Sequence, residues 1–288
     1  MIACHLDESF DPKQEGIFAV GGMLTHGRPL FELERRWKAL REKPEIKIDY
    51  FKASECQRGS KQFAKFVADP GNITADERQI LDGIWSRFLS VLCGDSLEHA
   101  VIFGIGVVQD DFYEVIRDDG ARAVLGDSPY WFAYQFAMIE AAFAMKYINT
   151  GDHVAFVCDE DEEHSPLAPD VYRELMRKNP NAAKHLGSFT TMSDHTCEAL
   201  QAADTAIYEV RRALHVSLGK WQRFLKDGNE LRWQFRKLAE HKLVWLIKYA
   251  NKQAFLDIVN DNKPGEPLIL DHLLSEEFNE DIAFGNLS

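Results

Sequence analysis

The first part of the chain constrains the fold most, because two strand-like segments follow each other with only a short break. Residues 1–9 alternate between two faces, with an apolar side chain at each even position up to Leu6, which is the period of a β-strand. Residues 10–16 are rich in turn-forming side chains, and the apolar run at 17–25 has the composition of a second strand. A connection this short favours an antiparallel hairpin, so we expect the fold to begin with two paired strands.

The segments that follow alternate between helical and strand-like patterns. In chain order they are a mostly helical insertion at 27–97, a strand at 98–108, a helix at 127–149, an apolar strand at 153–161, a helix at 169–178, a strand near 187–191 and a helix at 196–214. An antiparallel three-strand meander followed by alternating helices and parallel strands is the order of a ribonuclease H-like fold. We therefore predict an α/β domain over residues 1–218, with a ribonuclease H-like mixed sheet flanked by helices. Residues 219–288 are predicted to be a helical C-terminal extension packed on the same domain.

Composition and charge narrow the class of protein. The 288-residue chain has a formal net charge of −13, which argues against non-specific attraction to a polyanion unless divalent metals or a local basic patch reverse the field. Its five cysteines show no C-x-x-C spacing, a pattern that favours reduced thiols and a cytoplasmic location. The N-terminus lacks a signal-peptide pattern, and charged or polar residues interrupt the longest apolar stretch, at 130–148. We therefore expect no membrane-spanning segment.

Asp204 is a charged residue where an apolar one is expected, because it lies on the apolar face of the helix predicted at 196–214. Its neighbours three and four residues away include Leu200, Ile207 and Tyr208. A charged carboxylate that is desolvated without a partner costs roughly several kcal/mol. The pattern therefore predicts either a cation against Asp204 or a site onto which this helix face opens.

Three further carboxylates are placed where the predicted topology would bring them to Asp204. Asp7 lies near the end of the first strand and Asp159 ends the apolar strand, and ligands of open α/β sheets gather beyond the carboxyl ends of strands. The helical neighbours of Glu140, three and four residues away on either side, are all apolar. Each has an ordinary alternative: a polar turn for Asp7, a solvated acidic loop for Asp159, an ion pair with Lys146 or an arginine for Glu140, and a cap or a loop contact for Asp204.

Four inward carboxylates need cations, because like charges repel and raise one another's pKa. Magnesium or manganese ions accept carboxylate oxygen and keep waters for a substrate phosphate. Two such ions about 3.5–4 Å apart would activate a water on one side of a phosphodiester and stabilise the leaving oxygen on the other. We therefore predict that Asp7, Glu140, Asp159 and Asp204 are the catalytic and metal-binding residues of a nuclease that uses Mg²⁺ or Mn²⁺.

Basic residues near the end of the same helix are candidates for contacts with a nucleic-acid substrate. Arg211 and Arg212 follow Asp204 by two turns, within reach of a phosphate held at the metals. The segment 208–242 interleaves basic and aromatic residues, which suits a nucleic-acid strand but is more typical of an amphipathic helix pair with aromatic residues in the core and basic residues facing solvent. Asp194, Glu198 and Gln201 could complete a ligand shell, with a helix cap as the alternative role of Asp194.

Three short motifs resemble the family called domain of unknown function 3800. They are HLDES at 5–9, VAFVCDED at 154–161 and LQAAD at 200–204. Members of that family look like ribonuclease H-fold proteins of bacteria and mobile elements that are proposed to be metal-dependent nucleases. The resemblance spans roughly residues 1–214 and implies that Asp7, Asp159 and Asp204 are the metal-binding set, while Glu140 is supported by topology.

A fourth segment departs from the family pattern. FKASE at 51–55 resembles a family element that often has histidine where this chain has Lys52, which leaves the role of the element open. Glu55 is then either a ligand or a loop carboxylate.

Other functions stay open beside a nuclease. One alternative is a ribonuclease H-like module that has lost efficient chemistry and serves as a binding or regulatory component of a bacterial defence or mobile-element system. Another is a phosphatase or transferase site for a nucleotide. The expected partner is RNA or DNA, and the oligomeric state is open, with a homodimer as one option.

Overall fold

A mixed β-sheet organises the protein. The computed structural model describes residues 2–10, 16–94, 100–148, 153–160, 167–217, 244–262 and 274–275. Within them the strands are β1 (Ile2–Ser9), β2 (Ile17–His26), β3 (Val101–Val108), β4 (Val154–Asp159), β5 (Leu186–Met192), β6 (Val244–Ala250) and β7 (Leu274–Ser275). They form one seven-stranded sheet in the order β5-β4-β1-β2-β3-β6-β7.

The pairing of the strands confirms the predicted fold class. β1, β2 and β3 form an antiparallel meander, while β4 runs parallel to β1 and β5 runs parallel to β4. This is the mixed sheet predicted for a ribonuclease H-like α/β fold. In the parallel pair of β1 and β4, Leu6 lies opposite Cys158, so that Asp7 and Asp159 follow directly at the same edge of the sheet.

Helices cover both faces of the sheet. They are α1 (Gly27–Arg41), α2 (Ala53–Arg58), α3 (Ala75–Leu92), α4 (Gln109–Val115), α5 (Asp119–Leu125), α6 (Pro129–Ile148), α7 (Ala168–Lys178), α8 (Pro180–Ala183), α9 (Glu198–Ser217) and α10 (Lys252–Asp261), with a 3-10 helix at Lys61–Phe66. One face packs against α4 to α8 and α10 around a core that includes Cys4 and Leu6 of β1. The other face packs against α1 to α3 and α9. By strand alternation, Asp7 belongs to the face covered by α9.

Glycines in the central strands let α9 approach the sheet closely. Gly21 of β2 pairs with Asp7 on one side and with Gly104 of β3 on the other. A Cβ atom on Gly21 would lie 2.2 Å from the Phe103 carbonyl oxygen and 2.9 Å from Ile207 Cδ1 of α9. A Cβ atom at Gly104 would lie 3.0 Å from the same Ile207 atom. Small residues at these positions therefore set the depth at which α9 carries Asp204 toward β1.

The insertion between β2 and β3 is helical, as predicted. Its longest helix, α3, begins with a capping box, in which the Thr74 side chain accepts from the Glu77 N–H and the Glu77 carboxylate accepts from the Thr74 N–H. The loop before α2 is fixed by Phe51, whose fully buried ring lies 4.1 Å from that of Phe88. This packing fixes the backbone on which Lys52 stands.

The C-terminal extension differs from the helical prediction. Residues 244–250 form β6, which pairs in parallel with β3 and so extends the sheet instead of packing on it. The sequence VWLIKYA is rich in β-branched and aromatic residues, and it covers an edge that β3 would otherwise expose. Among the described residues of this extension, α10 is helical as predicted, whereas the basic and aromatic residues at 218–242 lie outside the described ranges. Within the described part of the chain, no helix is both long and apolar enough to cross a bilayer.

Candidate active site

Three of the predicted acids come together at one edge of the sheet. Asp7 lies near the carboxyl end of β1, Asp159 ends β4, and Asp204 lies in the second turn of α9, above β1. They are 3%, 7% and 5% exposed, and all three line one cavity of about 640 Å³. The register of β1 and β4 and the apolar face of α9 therefore deliver three carboxylates to a shared site, as the sequence predicted.

Asp194 joins this group from the loop between β5 and α9. Its N–H donates to Asp159 Oδ1 over 2.9 Å, and its own carboxylate is buried in the wall of the same cavity. The sequence predicted that Asp194 is either a metal ligand or a helix cap, and the structure places it beside Asp159. We refer to Asp7, Asp159, Asp194 and Asp204 together as the acid cluster.

Lys52 supplies a positive charge to the acid cluster. Its Nζ lies 3.0 Å from Asp194 Oδ2. Burial alone would lower the pKa of Lys52, but attraction by three of the carboxylates, Asp204 first, raises it above its ordinary value. The next residue also contributes, because the Ala53 N–H donates to Asp204 Oδ2 over 3.0 Å. A cation near Asp204 was predicted, and the Lys52 ammonium acts on Asp204 in this way.

One lysine does not neutralise four carboxylates. Burial raises the pKa of Asp7 well above its ordinary value, and repulsion by Asp204 and Glu8 adds to the rise. Burial also raises the pKa of Asp204 to about 6, although Lys52 and the Ala53 N–H oppose that rise. The cluster is therefore poised to take up either a proton or a further cation.

Asp7 and Asp159 differ in how their oxygens are satisfied. Burial, together with repulsion by Asp194, raises the pKa of Asp159, whose Oδ1 accepts from two backbone N–H groups. Asp7 Oδ1 accepts from the Glu8 N–H over 2.8 Å, whereas its Oδ2 is buried and accepts no hydrogen bond from the described residues. A buried carboxylate oxygen without a donor is an oxygen that a cation could use.

The donor chemistry suits a divalent metal, while the present arrangement of side chains does not form a closed metal centre. Carboxylate oxygens are the ligands that Mg²⁺ and Mn²⁺ prefer, and Asp7 Oδ2 is an unsatisfied one. Within the described ranges, however, no three His, Cys, Asp or Glu side chains stand close enough together to hold an ion. The Lys52 ammonium already contacts one carboxylate of the cluster, that of Asp194.

Gln201 holds the two loops that carry Lys52 and Asp194. Its Oε1 accepts from the Phe51 N–H and from Trp37 Nε1, and its Nε2 donates to the Asp194 carbonyl over 2.7 Å. These bonds use a side chain that is fully buried. Gln201 was predicted to join a ligand shell; in the structure it instead positions the loops on which Lys52 and Asp194 stand. Glu198, the other candidate on this helix, forms an ion pair with Arg41 of α1 instead.

Glu140 does not join the acid cluster, which corrects the predicted set of four. It stands on α6, which packs on the face of the sheet opposite to α9, and Lys248 of β6 forms an ion pair with its carboxylate. Helical periodicity showed that Glu140 is buried but could not show against which face. The predicted ion-pair alternative was correct in kind, with Lys248 instead of Lys146 as the partner.

Glu55 is not among the residues that line the cavity and stands apart from the acid cluster. Its buried carboxylate lies 2.9 Å from Lys61 Nζ and accepts from the Tyr50 hydroxyl over 3.1 Å. The Tyr50 ring in turn stacks on His195, with 3.9 Å between ring centroids and 9° between planes. The sequence predicted either a ligand or a loop carboxylate for Glu55; the structure pairs it with Lys61 and Tyr50, and it lies in the first turn of α2, not in a loop.

The two arginines of α9 have different surroundings. Arg211 lines the cavity, and its Nε donates to Ser9 Oγ over 2.9 Å. Arg212 Nη1 donates to Gln57 Oε1 over 2.7 Å and to the Tyr208 hydroxyl over 3.0 Å, and it is not among the residues that line the cavity. Only Arg211 of the predicted pair therefore faces the acids. Arg58 and Lys61, which the sequence did not single out, line the same cavity.

Comparisons with protein-family models and with curated proteins found no match to this chain. The resemblance to domain of unknown function 3800 therefore stays a prediction that rests on short motifs.

Proposed function

We propose that this protein is a divalent-metal-dependent nuclease that hydrolyses phosphodiester bonds of RNA or DNA. The observation that carries the proposal is the meeting of Asp7, Asp159 and Asp204, from two parallel strands and one helix, as buried carboxylates in one cavity. Basic side chains of Arg58 and Arg211 line the same cavity, so that anionic substrate and metal-binding acids would adjoin each other. Metal-assisted phosphodiester hydrolysis places the ion directly beside the anionic substrate, and this combination suits it.

The residues of the chain divide the work of such a reaction. Asp7, Asp159 and Asp204, assisted by Asp194, would hold Mg²⁺ or Mn²⁺. The ion, when bound, supplies Lewis acidity toward the phosphoryl oxygens and lowers the pKa of a coordinated water. Arg211, fixed by Ser9, holds a phosphate oxygen of the substrate.

Burial contributes to the same chemistry. The carboxylates that line the cavity are buried, so that little water screens their charge and their attraction for a cation is stronger than at an exposed surface. Lys52 stands between the acids and the insertion helix α2, where its ammonium holds the metal-free acids together. We infer that it leaves Asp194 when a metal binds.

A second function is favoured by a specific contact, the ion pair between Lys52 and Asp194. If the lysine ammonium is the permanent cation of the acid cluster, the protein binds nucleic acid without cleaving it. The chain would then be the ribonuclease H-like binding or regulatory module that the sequence left as an alternative. The two functions differ in whether a divalent ion enters the acid cluster.

Melting curves recorded during titration with Mn²⁺ and Mg²⁺ separate the two functions. A ligand that binds only the folded state raises the melting temperature, so the wild type should melt higher as the metal concentration rises. Asp204→Asn should abolish this rise and also the cleavage of a panel of single- and double-stranded RNA and DNA. Asp119→Asn is the matched control, because Asp119 is 99% exposed on α5. A wild type that neither responds to metal nor cleaves any strand would leave only the binding module.

A further inference from the structure

Two aromatic rings, Tyr50 and the cavity-lining His195, stack on each other. Tyr50 comes from the loop before α2 and His195 from the loop between β5 and α9, and their ring centroids lie 3.9 Å apart with 9° between the planes. The tyrosine is held in place, because its hydroxyl donates to Glu55 and the adjacent Phe51 is fully buried. A parallel pair of rings from two separate loops forms a flat surface with a fixed orientation.

The histidine presents its free side to solvent. The His195 side chain is 59% exposed although one face of its ring rests on Tyr50, so the exposed area belongs largely to the opposite face and the ring edge. An imidazole that stacks on a phenol and is otherwise open resembles the aromatic surfaces on which proteins stack unpaired bases. Every base offers a π-face to such a surface, which makes the contact tolerant of sequence.

The position of the stack relates it to the acid cluster. His195 follows Asp194 in sequence, lines the same cavity, and its Nε2 lies 3.6 Å from Asp194 Oδ1. Arg58 and Lys61 line the cavity as well, and the Lys61 side chain is 70% exposed. A nucleotide whose base rests on His195 would thus have cations within the same cavity for its phosphate.

We propose that the stacked pair of Tyr50 and His195 is a nucleobase-binding platform for single-stranded RNA or DNA. An unpaired base stacks on the open face of His195 while its phosphate enters the cavity beside Arg58 and Lys61. Bases in a duplex are already covered on both faces by their neighbours, so the platform selects single strands. This inference rests on the proposed function and deepens it by naming the substrate class.

The platform can be tested by binding alone. Fluorescence anisotropy with labelled oligo-uridine and oligo-thymidine, in EDTA and again with Ca²⁺, measures affinity for strands that carry bases. A matched abasic strand and a duplex report the phosphate contribution and the strand preference. The variants are His195→Ala, His195→Phe, which keeps a flat ring, and His153→Ala as the control. His153 is exposed and precedes β4, at the end opposite to Asp159.

We expect His195→Ala to weaken binding of the base-containing strands about 5- to 10-fold, within the range of base stacking on an aromatic side chain. His195→Phe and His153→Ala should keep wild-type affinity, and the abasic strand should bind all variants equally and weakly. If His195→Ala weakens binding of the uridine and thymidine strands equally, His195 recognises the base and not the sugar. Tighter binding of the uridine strand, lost in part in His195→Ala, would indicate an additional contact to the ribose hydroxyl and would also support the platform.

The platform is overturned if the wild type binds base-containing and abasic strands equally, if duplex binds as tightly as single strand, or if no base-containing strand binds in either condition. Equal loss in His195→Phe and His195→Ala overturns it too. Failure here is distinct from failure of the proposed function. Metal-dependent cleavage with no effect of His195 keeps the nuclease and removes the platform, whereas base-dependent binding without cleavage keeps the platform and removes the nuclease.

Discussion

At the scale of single residues, the acid cluster is an unbalanced group of charges with one lysine among them. Lys52 contacts Asp194 directly and attracts two other carboxylates through the cavity. Its ammonium therefore stabilises the metal-free fold and competes with any divalent ion for the same oxygens.

Replacement of Lys52 by methionine should separate these two effects. The metal-free variant should lose about 1–3 kcal/mol of folding free energy, because buried carboxylates are left without a partner. The same change should strengthen Mn²⁺ binding at least about tenfold, since no ammonium has to be displaced. Melting curves and isothermal titration calorimetry measure the two effects.

Lys52→Arg is the control for this experiment, because it keeps the positive charge. It should remain close to the wild type in metal affinity. Weaker Mn²⁺ binding in Lys52→Met than in the wild type would show that Lys52 supports the metal and does not compete with it.

The pH dependence of stability offers a second test at this scale. Burial raises the pKa of Asp204 to about 6 in the folded protein, against about 3.9 for an unfolded aspartate. Between these values the folded state holds a proton that the unfolded state has released. The stability that this proton contributes is complete below about pH 4 and is lost as the pH rises through about 6.

The comparison with Asp204→Asn isolates this contribution. In EDTA, the free energy of unfolding of the wild type relative to the variant should fall by at most about 3 kcal/mol across the window. Saturating Mn²⁺ should reverse the slope, because the ion binds the deprotonated carboxylate. A difference between the two proteins that rises with pH in EDTA would contradict a raised pKa for Asp204.

At the scale of secondary-structure elements, the distance between α9 and the sheet determines whether Asp204 reaches β1. Gly21 lies between Asp7 and Gly104 in the sheet, directly below Ile207 of α9. The first atom that a side chain at position 21 would meet is a backbone carbonyl oxygen, at 2.2 Å. Backbone cannot move aside as a side-chain end can, so α9 or β3 would have to shift.

Gly21→Ala should therefore cost about 1–3 kcal/mol of stability and weaken Mn²⁺ binding in the protein that still folds. The matched control is Gly83→Ala in α3, where an added Cβ meets no atom within 4 Å. That change should stabilise the helix by up to about 1 kcal/mol and leave the metal response unchanged. Chemical denaturation and the Mn²⁺ titration of melting temperature measure both variants. Equal behaviour of the two would mean that close packing of α9 does not position Asp204.

Sequence periodicity predicted the elements that are long or strictly patterned. The hairpin of β1 and β2, the helix α6 and the helix α9 were placed within a few residues, because alternation and helical periodicity mark them clearly. The register that places Asp7 beside Asp159 followed from the parallel pairing of strand ends. This is why three of the four predicted acids are found together.

The remaining features depend on contacts that a local pattern does not contain. The short apolar segment at 244–250 is equally compatible with a helix, and pairing with β3 made it a strand. Lys52 reaches the acid cluster because Gln201, 150 residues from Phe51, fixes the backbone beside it. Glu140 was correctly predicted to be buried, but helical periodicity does not specify which face of a sheet a helix covers.

At the scale of the whole molecule, a net charge of −13 opposes the binding of a nucleic acid. Arg58, Lys61 and Arg211 line the cavity and supply the local attraction. If these three cations contact phosphates of a single strand, the logarithm of the binding constant should fall with the logarithm of salt concentration with a slope of roughly −2. Arg58→Gln should make the slope shallower by about 0.7, while Arg28→Gln, exposed on α1, should leave it unchanged.

Divalent ions should act in the opposite direction to monovalent salt. At constant ionic strength, Ca²⁺ should raise the affinity for a single strand, because an ion in the acid cluster turns repulsion of the phosphate into attraction. Asp204→Asn should lose this increase, since the ion has fewer ligands. Anisotropy titrations with Ca²⁺ and with an ionic-strength-matched potassium salt measure the difference. Equal effects of the two salts would mean that the strand binds where the acid cluster does not influence it, and the cavity would then have to be given up as the substrate site.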